Sequence, residues 1–301
     1  MKESDNPKNL AEPEWPGTSG SRNDRPMRLG LIGCPISHSK SPALFLEHYA
    51  SRPDILEHWS YDLIERDTFD EAWAASLQDY VAVNVTAPFK EDAFKAADTH
   101  SYSTLRCLAS NLLVKSGSGV SAYNTDFEAV LKILQQEFPK PEEHRAMVIG
   151  CGGAGKAATA AALEAGMKVY LCNRTVSRAQ EFADYLRRYD PHKCGTVSKI
   201  LNLNGYASIS TIEAANIQWT IPPALKIAIY EADTIIYTLP GPSDNLRRFL
   251  SDDPGLLAGK TVIEANYKSP VLSFTPCRRY ISGLTWLRLQ ALATYRIAIG
   301  K

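Results

Sequence analysis

The segment that decides the fold is AMVIGCGGAGKAATAAALEAGMKVYLCNRT, residues 146–175. It begins with the apolar run AMVIG, passes through a glycine turn into an alanine-rich stretch, and ends with a second apolar run, KVYLCN. A strand, a glycine turn, a helix and a second strand that ends about 20 residues further on form the order of a dinucleotide-binding βαβ unit. The segment therefore predicts a Rossmann-like fold.

The glycine turn GCGGAG, residues 150–155, satisfies the G-x-G-x-x-G pattern, in which backbone N–H groups approach a pyrophosphate at a helix N-terminus. Its candidate cofactor-binding residues are Gly150, Gly152, Gly153, Ala154 and Gly155. The same turn is also half of a P-loop, GxxxxGK. Ala157 follows Lys156, however, where that motif needs Ser or Thr to hold magnesium, so hydrolysis of a nucleoside triphosphate is not expected.

The residues after the second strand bear on the choice of cofactor. They are Asn173, Arg174 and Thr175, with Arg178 close behind. Enzymes that use NAD usually place Asp or Glu here for the ribose 2′-hydroxyl, whereas a guanidinium can bind the 2′-phosphate of NADP. We therefore expect NADP as the cofactor and these four residues as part of its site. The alternative is a pair of solvated arginines at a helix start.

Strand-like and helix-like segments also alternate on either side of this unit. RLGLI, HWSYDLI and VAVNV have the pattern of strands that lead into helices, and SNLLVK and GVSAYN have the pattern of a strand pair. This order predicts two α/β domains, at residues 27–125 and 126–283, after a disordered extension at 1–26. The closing helix, 284–301, is expected to pack back on the first domain or at the seam.

Composition excludes several classes of function. Lys plus Arg is 33 and Asp plus Glu is 33, so the chain lacks the positive field that nucleic-acid binding usually needs. Its six cysteines are scattered without zinc spacing, which indicates no metal site and favours a reducing cytosol. No apolar run reaches the roughly 20 residues of a membrane span, and the N-terminus lacks a secretory apolar core. We expect a cytoplasmic protein that binds neither nucleic acid nor membrane.

Polar side chains gather where strands of the first half end. They form four groups, at residues 37–41, at 84–90, at Asn111 and at 124–126. In open α/β sheets such junctions face a common crevice. Hydroxyls, amides, one ammonium and one carboxylate suit a small polyhydroxy acid, and neither a Ser-His-Asp arrangement nor a metal-binding cluster is evident.

Seven motifs along the chain carry a family resemblance. They are GCPISHSKSP, NVTAPFK, SNLL, YNTD, GCGGAGKA, NRTVSRA and GLTWLRLQA, and they span roughly residues 28–301. Their order resembles that of the shikimate dehydrogenases. The resemblance implies an N-terminal substrate-binding domain, a C-terminal Rossmann-like NADP-binding domain and a cleft between them. It also implies NADP-linked reduction of 3-dehydroshikimate to shikimate, a step towards chorismate and the aromatic amino acids, by a monomer or homodimer.

The same motifs imply roles for individual residues. Lys90 and Asp126 would be the acid/base pair, since the oxygen left by hydride addition must be protonated. Ser37 and Ser39 would hold the substrate carboxylate. The residues implied to bind the substrate hydroxyls are Asn84, Thr86, Asn111 and Gln290.

Simpler interpretations stay open for several of these residues. Asp126 stands where a helix N-cap belongs, with Thr125 and Glu128 at capping-box spacing. Gln290 fits a polar position on the closing helix, and Tyr267 fits either the cleft wall or the core.

Two other functions compete with the first. One is NAD-linked oxidation of quinate, against which the serine pair and the NRT motif argue. The other is a non-catalytic sensor that resembles the dehydrogenase-like part of the fungal quinate repressor, against which Lys90 and Asp126 argue.

The chain departs from the family pattern at four places. Phe45 stands where the family usually has His, and Phe127 stands where it has Gly. Thr285-Trp286 replaces Gly-Met, and YTLPGPSD at 237–244 replaces the loop NATPxGM.

Overall fold

The computed structural model of the protein describes residues 26–117, 119–189, 197–202 and 223–300. The extension at 1–26, expected to be disordered, lies outside this part of the chain except for Pro26. Within the described residues the chain forms two six-stranded sheets flanked by helices, which confirms the predicted α/β class.

The first sheet is mixed and uses the N-terminal strands. Its members are β1 (Met27–Gly33), β2 (Trp59–Glu65), β3 (Tyr80–Val85), β4 (Thr99–His100), β5 (Leu112–Ser116) and β6 (Gly119–Tyr123). Their order across the sheet is β2-β1-β3-β5-β6-β4. The three strands β2, β1 and β3 run parallel, and β5 and β6 form the predicted antiparallel pair. The carboxyl ends of β1 and β3 therefore lie side by side.

The second sheet is parallel throughout. Its members are β7 (Arg145–Ile149), β8 (Lys168–Asn173), β9 (Val197–Asn202), β10 (Thr234–Tyr237), β11 (Thr261–Glu264) and β12 (Arg279–Ile281). The order β9-β8-β7-β10-β11-β12 is that of a doubly wound dinucleotide-binding sheet. The strand order reverses between β7 and β10, so a crevice opens there beyond the carboxyl ends of the strands.

Helices connect the strands and cover both sheets. The described helices are α1 (Ser41–His48), α2 (Pro53–His58), α3 (Phe69–Ser76), α4 (Lys90–Lys95), α5 (Tyr102–Cys107), α6 (Thr125–Glu137), α7 (Gly153–Glu164), α8 (Val176–Tyr189), α9 (Pro223–Glu231), α10 (Asp244–Asp252) and α11 (Gly283–Ile299), besides a 3-10 turn at Pro141–Glu143.

The last helix, α11, contributes to the cores of both sheets. Trp286, near its start, is buried with residues of α6 and α7 against the second sheet. Tyr295 and Ile299, near its end, are buried with Leu29 of β1 in the first. Because α11 packs on both halves as one continuous helix, its side chains have fixed positions relative to both sheets.

The turn between β7 and α7 depends on glycine at particular positions. Gly150 has a φ of +109°, which side-chain-bearing residues rarely adopt. A β-carbon at Gly155 would lie 2.1 Å from the Gly150 carbonyl oxygen, which no L-residue could tolerate without moving the turn. At Gly152, by contrast, a β-carbon would meet nothing within 4 Å, and φ is −84°.

We expect Gly155→Ala to lower the free energy of unfolding by about 2 kcal/mol or more, because the added methyl group overpacks a backbone contact. Gly152→Ala, three residues away, is the matched control and should change it by less than about 0.5 kcal/mol. Urea denaturation of both variants measures the difference. Equal stabilities would contradict the close approach of the turn to its helix.

Candidate active site

A cleft of about 860 Å³ lies between the two sheets. Segments that follow the carboxyl ends of β1, β3, β7 and β10 line it, namely residues 34–36, 86–88, 152–154 and 238–240. Its size is within the range of small-molecule sites in proteins. The first sheet and the crevice of the second therefore open into one space.

Lys90 and Asp126 meet in this cleft. Lys90 is the first residue of α4, and its Nζ donates to Asp126 Oδ2 at 2.5 Å. Their side chains are 13% and 5% exposed. The other carboxylate oxygen, Oδ1, accepts a hydrogen bond from Trp286 Nε1 at 2.9 Å. Lys90 thus has an ion-pair partner whose own orientation is fixed from α11.

The N-cap of α6 is Asn124, and the interpretation of Asp126 as that cap is wrong. The Asn124 side chain accepts from Phe127 N at 3.0 Å, while its own amide donates to the Ala109 carbonyl oxygen. Asp126 is therefore in the first turn of the helix and not before it, which leaves its carboxylate to Lys90 and Trp286.

Asn84 lies at the end of β3 and is held from three sides. Its Oδ1 accepts from Tyr61 Oη at 2.8 Å, and its Nδ2 donates to the Asn111 carbonyl oxygen and to Thr294 Oγ1, both at 3.0 Å. Both amide hydrogens are thereby used. A ligand can reach Asn84 only through the second lone pair of Oδ1.

Asn111 and Gln290 are hydrogen-bonded to each other. Asn111 Nδ2 donates to Gln290 Oε1 at 3.0 Å and to Thr125 Oγ1 at 2.9 Å, and its Oδ1 accepts from Thr125 N at 2.7 Å. Both line the cleft. Because Gln290 uses its oxygen in this network, its NH₂ group is the part that can serve a ligand.

Three side chains of α11 hold the polar residues of the first half in place. Trp286 contacts Asp126, Gln290 contacts Asn111, and Thr294 contacts Asn84. Their spacing of four residues puts them on one face of the helix. This face forms one wall of the cleft.

The serine loop after β1 is divided between the cleft and the surface. Ser39 and His38 line the cleft, and Ser39 Oγ donates to Ser41 Oγ at 3.2 Å. Ser37 is exposed and is not among the lining residues. Thr86, after the neighbouring strand β3, also lines the cleft.

The glycine turn has the properties that a bound pyrophosphate requires. Gly152 and Gly153 line the cleft at the N-terminus of the twelve-residue helix α7, and the space beside Gly152 is open. Asn173, the last residue of β8, accepts from Cys151 N at 3.2 Å and so braces the turn. Backbone N–H groups at such a helix end bind anions, so the turn fits a dinucleotide.

The remaining candidate cofactor residues lie around this turn. Arg174 and Thr175 are exposed beyond β8, and Arg178 reaches the cleft wall. Ala154 also lines the cleft, whereas Gly150 is set back behind the turn.

The two halves touch directly at Lys90 and Glu91. A β-carbon at Gly153 would lie 2.8 Å from Lys90 Cδ, so the glycine turn packs against the lysine stem. Glu91 Oε1 accepts from Lys156 Nζ at 2.9 Å and from Arg178 Nη2 at 3.0 Å. One carboxylate oxygen from the first half thus binds two cations of the second.

The pKa of Glu91 reflects these contacts. Burial by itself would raise the pKa of its carboxyl group, but the hydrogen bond and charge of Lys156, together with the charge of Arg178, outweigh it and lower that pKa below its usual value. The carboxylate is therefore charged at neutral pH, and the bridge between the halves is ionic.

The cysteines in and beside the cleft have raised thiol pKa values. Burial raises the pKa of the Cys151 thiol to about 11, and burial together with the charges of Asp67 and Glu65 raises the pKa of Cys34, which lines the cleft. A raised pKa leaves little thiolate near pH 7. Among the described residues, no group of three His, Cys, Asp or Glu side chains is placed to hold a metal ion.

None of the helices in the same part of the chain has the length and apolar character of a membrane span.

Two family models match the chain. Residues 31–113 match the shikimate dehydrogenase substrate binding domain, and residues 132–217 match the shikimate / quinate 5-dehydrogenase model. Together the two ranges cover more than half of the chain. The chain belongs to the shikimate dehydrogenase family.

The relatives of this chain among curated proteins include members of this family. The shikimate dehydrogenase (NADP(+)) of Acidiphilium cryptum is 36% identical over 155 residues, which are 51% of this chain and 56% of that protein. The enzyme of the same name from Halobacterium salinarum is 34% identical over 154 residues, 51% of this chain and 58% of that protein. The chain thus spans just over half the length of these relatives.

Solved structures of the family share the whole fold. The shikimate dehydrogenase of Mycobacterium tuberculosis has a TM-score of 0.66 and 25% identity, with 92% of this chain and 94% of that one covered. The quinate dehydrogenase of Corynebacterium glutamicum in complex with NAD has a TM-score of 0.70 and 19% identity, with 92% and 95% covered. At that identity the second comparison shows the fold alone.

Four residues that shape this cleft were not predicted from the sequence. Tyr61 and Thr294 hold Asn84, Trp286 holds Asp126, and Glu91 bridges the two halves. Only the helical spacing of Trp286 and Thr294 from Gln290 pointed towards the cleft, because i±4 positions share a face.

We expect Lys90→Met to lower the free energy of unfolding by about 3 kcal/mol, because it leaves the buried Asp126 carboxylate without its cation. The double variant Lys90→Met/Asp126→Leu should recover most of that loss, since both charges are then gone. Urea denaturation of the single and double variants measures the coupling. If the double variant is as unstable as the single one, the pair does not exist in solution.

Proposed function

We propose that the protein is an NADP-dependent enzyme that reversibly reduces 3-dehydroshikimate to shikimate in the cytosol. The observation that carries the proposal is the Lys90–Asp126 ion pair, which faces a cleft between a polar-lined sheet edge and a dinucleotide-type glycine turn. The relatives named above, described as shikimate dehydrogenases that use NADP(+), support the choice of substrate and cofactor.

Lys90 is the proposed general acid of the reduction. When bound, NADPH supplies the hydride. The Lys90 ammonium has three N–H donors, of which one binds Asp126, so the others remain to donate to a carbonyl oxygen of the substrate. Asp126 orients the ammonium, and the same lysine accepts the proton back in the direction of oxidation.

The cleft walls supply groups for a polyhydroxy acid. The Ser39 hydroxyl, the Thr86 side chain and the Gln290 NH₂ group are proposed to bind its oxygens, with Asn84 contributing the remaining lone pair of Oδ1. Ser37 shares the loop of Ser39 and is proposed to reach the substrate carboxylate. Asn111 acts mainly by orienting Gln290.

The glycine turn and the residues after β8 are proposed to hold NADP. Gly152, Gly153 and Ala154 offer backbone to the pyrophosphate, and Asn173 braces them. Arg174, Thr175 and Arg178 are proposed to bind the 2′-phosphate, for which a guanidinium is suited.

A spectrophotometric assay tests the proposed function. Purified protein with shikimate and NADP should produce reduced cofactor, with much slower turnover for NAD or for quinate. Turnover of quinate with NAD would replace the substrate and cofactor assignments. Binding of shikimate without turnover would make the protein a sensor.

We expect Lys90→Ala to lower kcat by roughly two or more orders of magnitude, the scale of general acid–base catalysis. Lys132→Ala, an exposed lysine on α6, is the control and should leave kcat unchanged. Steady-state kinetics at saturating cofactor make the comparison. If the Lys90→Ala enzyme keeps its activity, Lys90 is not the residue that transfers the proton.

We expect Glu91→Gln to tighten NADP binding about 5-fold, because the cofactor phosphate then no longer competes with a carboxylate for Arg178, an ion pair worth ~1 kcal/mol. NAD, which lacks the 2′-phosphate, should gain less. Titration calorimetry gives both Kd values, with Glu71→Gln on α3 as the control. Weaker NADP binding in Glu91→Gln would show that the bridge assists the cofactor.

A further inference from the structure

We propose that Trp286 is a positioning residue of the reaction: its indole N–H holds the Asp126 carboxylate so that Asp126 serves only to orient Lys90. The inference rests on the proposed function and adds a residue from the C-terminal helix to it. The contact joins residues 160 positions apart in the chain.

The geometry around Asp126 leaves each carboxylate oxygen with one partner. Oδ2 binds Lys90 Nζ at 2.5 Å, and Oδ1 binds Trp286 Nε1 at 2.9 Å. Asp126 and Trp286 are each 3% exposed, so the hydrogen bond between them is shielded from water. A carboxylate held at both oxygens cannot rotate about its Cβ–Cγ bond without breaking a hydrogen bond.

The two ends of this chain of contacts differ in what they can offer a ligand. The indole has a single N–H, which is used on Asp126. Lys90 has further N–H donors and is the more exposed member of the ion pair, at 13% against 5% for the Asp126 side chain. Proton exchange with a substrate oxygen is therefore assigned to Lys90 and not to Asp126.

Trp286 is itself well anchored. It is packed in the core formed by α6, α7 and the second sheet, near the start of α11. The helix begins after Ser282, whose side chain accepts from Thr285 N at 3.3 Å. A β-carbon at Gly283 would lie 2.5 Å from the Ala265 carbonyl oxygen, so the first turn of α11 is seated directly on the loop after β11. The donor therefore has little freedom to follow a moving carboxylate.

The kinetic test uses Trp286→Phe, which keeps an aromatic ring and removes the N–H. We expect kcat to fall about 10-fold, the loss typical of a hydrogen bond to a charged group. The KM for shikimate and the Kd for NADP should change less than about 2-fold, because neither ligand contacts the indole N–H in this assignment. Trp286→His, which restores a ring N–H, should recover part of kcat.

Trp73→Phe is the matched control, since it makes the same chemical change on α3, outside the cleft lining. It should leave kcat unchanged. If Trp286→Phe keeps full kcat, or if kcat and KM change together in proportion to lost stability, Trp286 is only a core residue and the inference fails. An inactive wild-type protein would instead refute the proposed function and leave the next measurement as the test.

A second measurement does not depend on turnover. The chain has five tryptophans, so Trp286→Phe identifies the Trp286 resonance as the one missing from the indole N–H region of a ¹H–¹⁵N spectrum. In Asp126→Ala that resonance should move upfield and its hydrogen should exchange faster with solvent, because it has lost its acceptor. An unmoved resonance would overturn the inference.

Discussion

The ion pair between Lys90 and Asp126 is the interaction on which the site depends. Taking two charges out of water costs free energy that their attraction recovers only when the geometry is good and the remaining polar atoms are satisfied. The chain meets that condition with residues from three separate regions: Lys90 at the start of α4, Asp126 in the first turn of α6, and Trp286 on α11. The ammonium is left facing the cleft, where a ligand can complete its hydrogen bonds.

The C-terminal helix explains how a site drawn from three strands stays ordered. Asn84 lies in β3, Asn111 directly precedes β5 and Asp126 comes shortly after β6, yet each is hydrogen-bonded to a residue of α11. The helix is itself packed into the cores of both sheets. Polar side chains that would otherwise have several rotamers are therefore held in one arrangement before any ligand arrives, which lowers the entropic cost of binding.

The sequence predicted the parts of this molecule that depend on local pattern. The glycine turn, the alternating strands and helices and the hairpin at SNLLVK and GVSAYN are specified by neighbouring residues, so periodicity found them. The alternative interpretation of Asp126 as the N-cap of α6 stayed open because Asn and Asp are both good caps. The hydrogen bond from Phe127 N to the Asn124 side chain decides for Asn124, and Asp126 pairs with Lys90 instead. Contacts between residues far apart in the sequence have no local sequence signal. No pattern near Glu91 indicates that Arg178 will bind it, and none near Tyr61 indicates its hydrogen bond to Asn84.

The contact of Gly153 with the methylene chain of Lys90 joins the two halves of the molecule beside the proposed reacting group. The turn proposed to hold the dinucleotide also forms the apolar backing of the amine's methylene chain. Because the methylene chain of Lys90 rests on backbone of the other half, a change in the angle between the halves would also move or expose that chain. The position of the amine is therefore coupled to the relative placement of the two sheets.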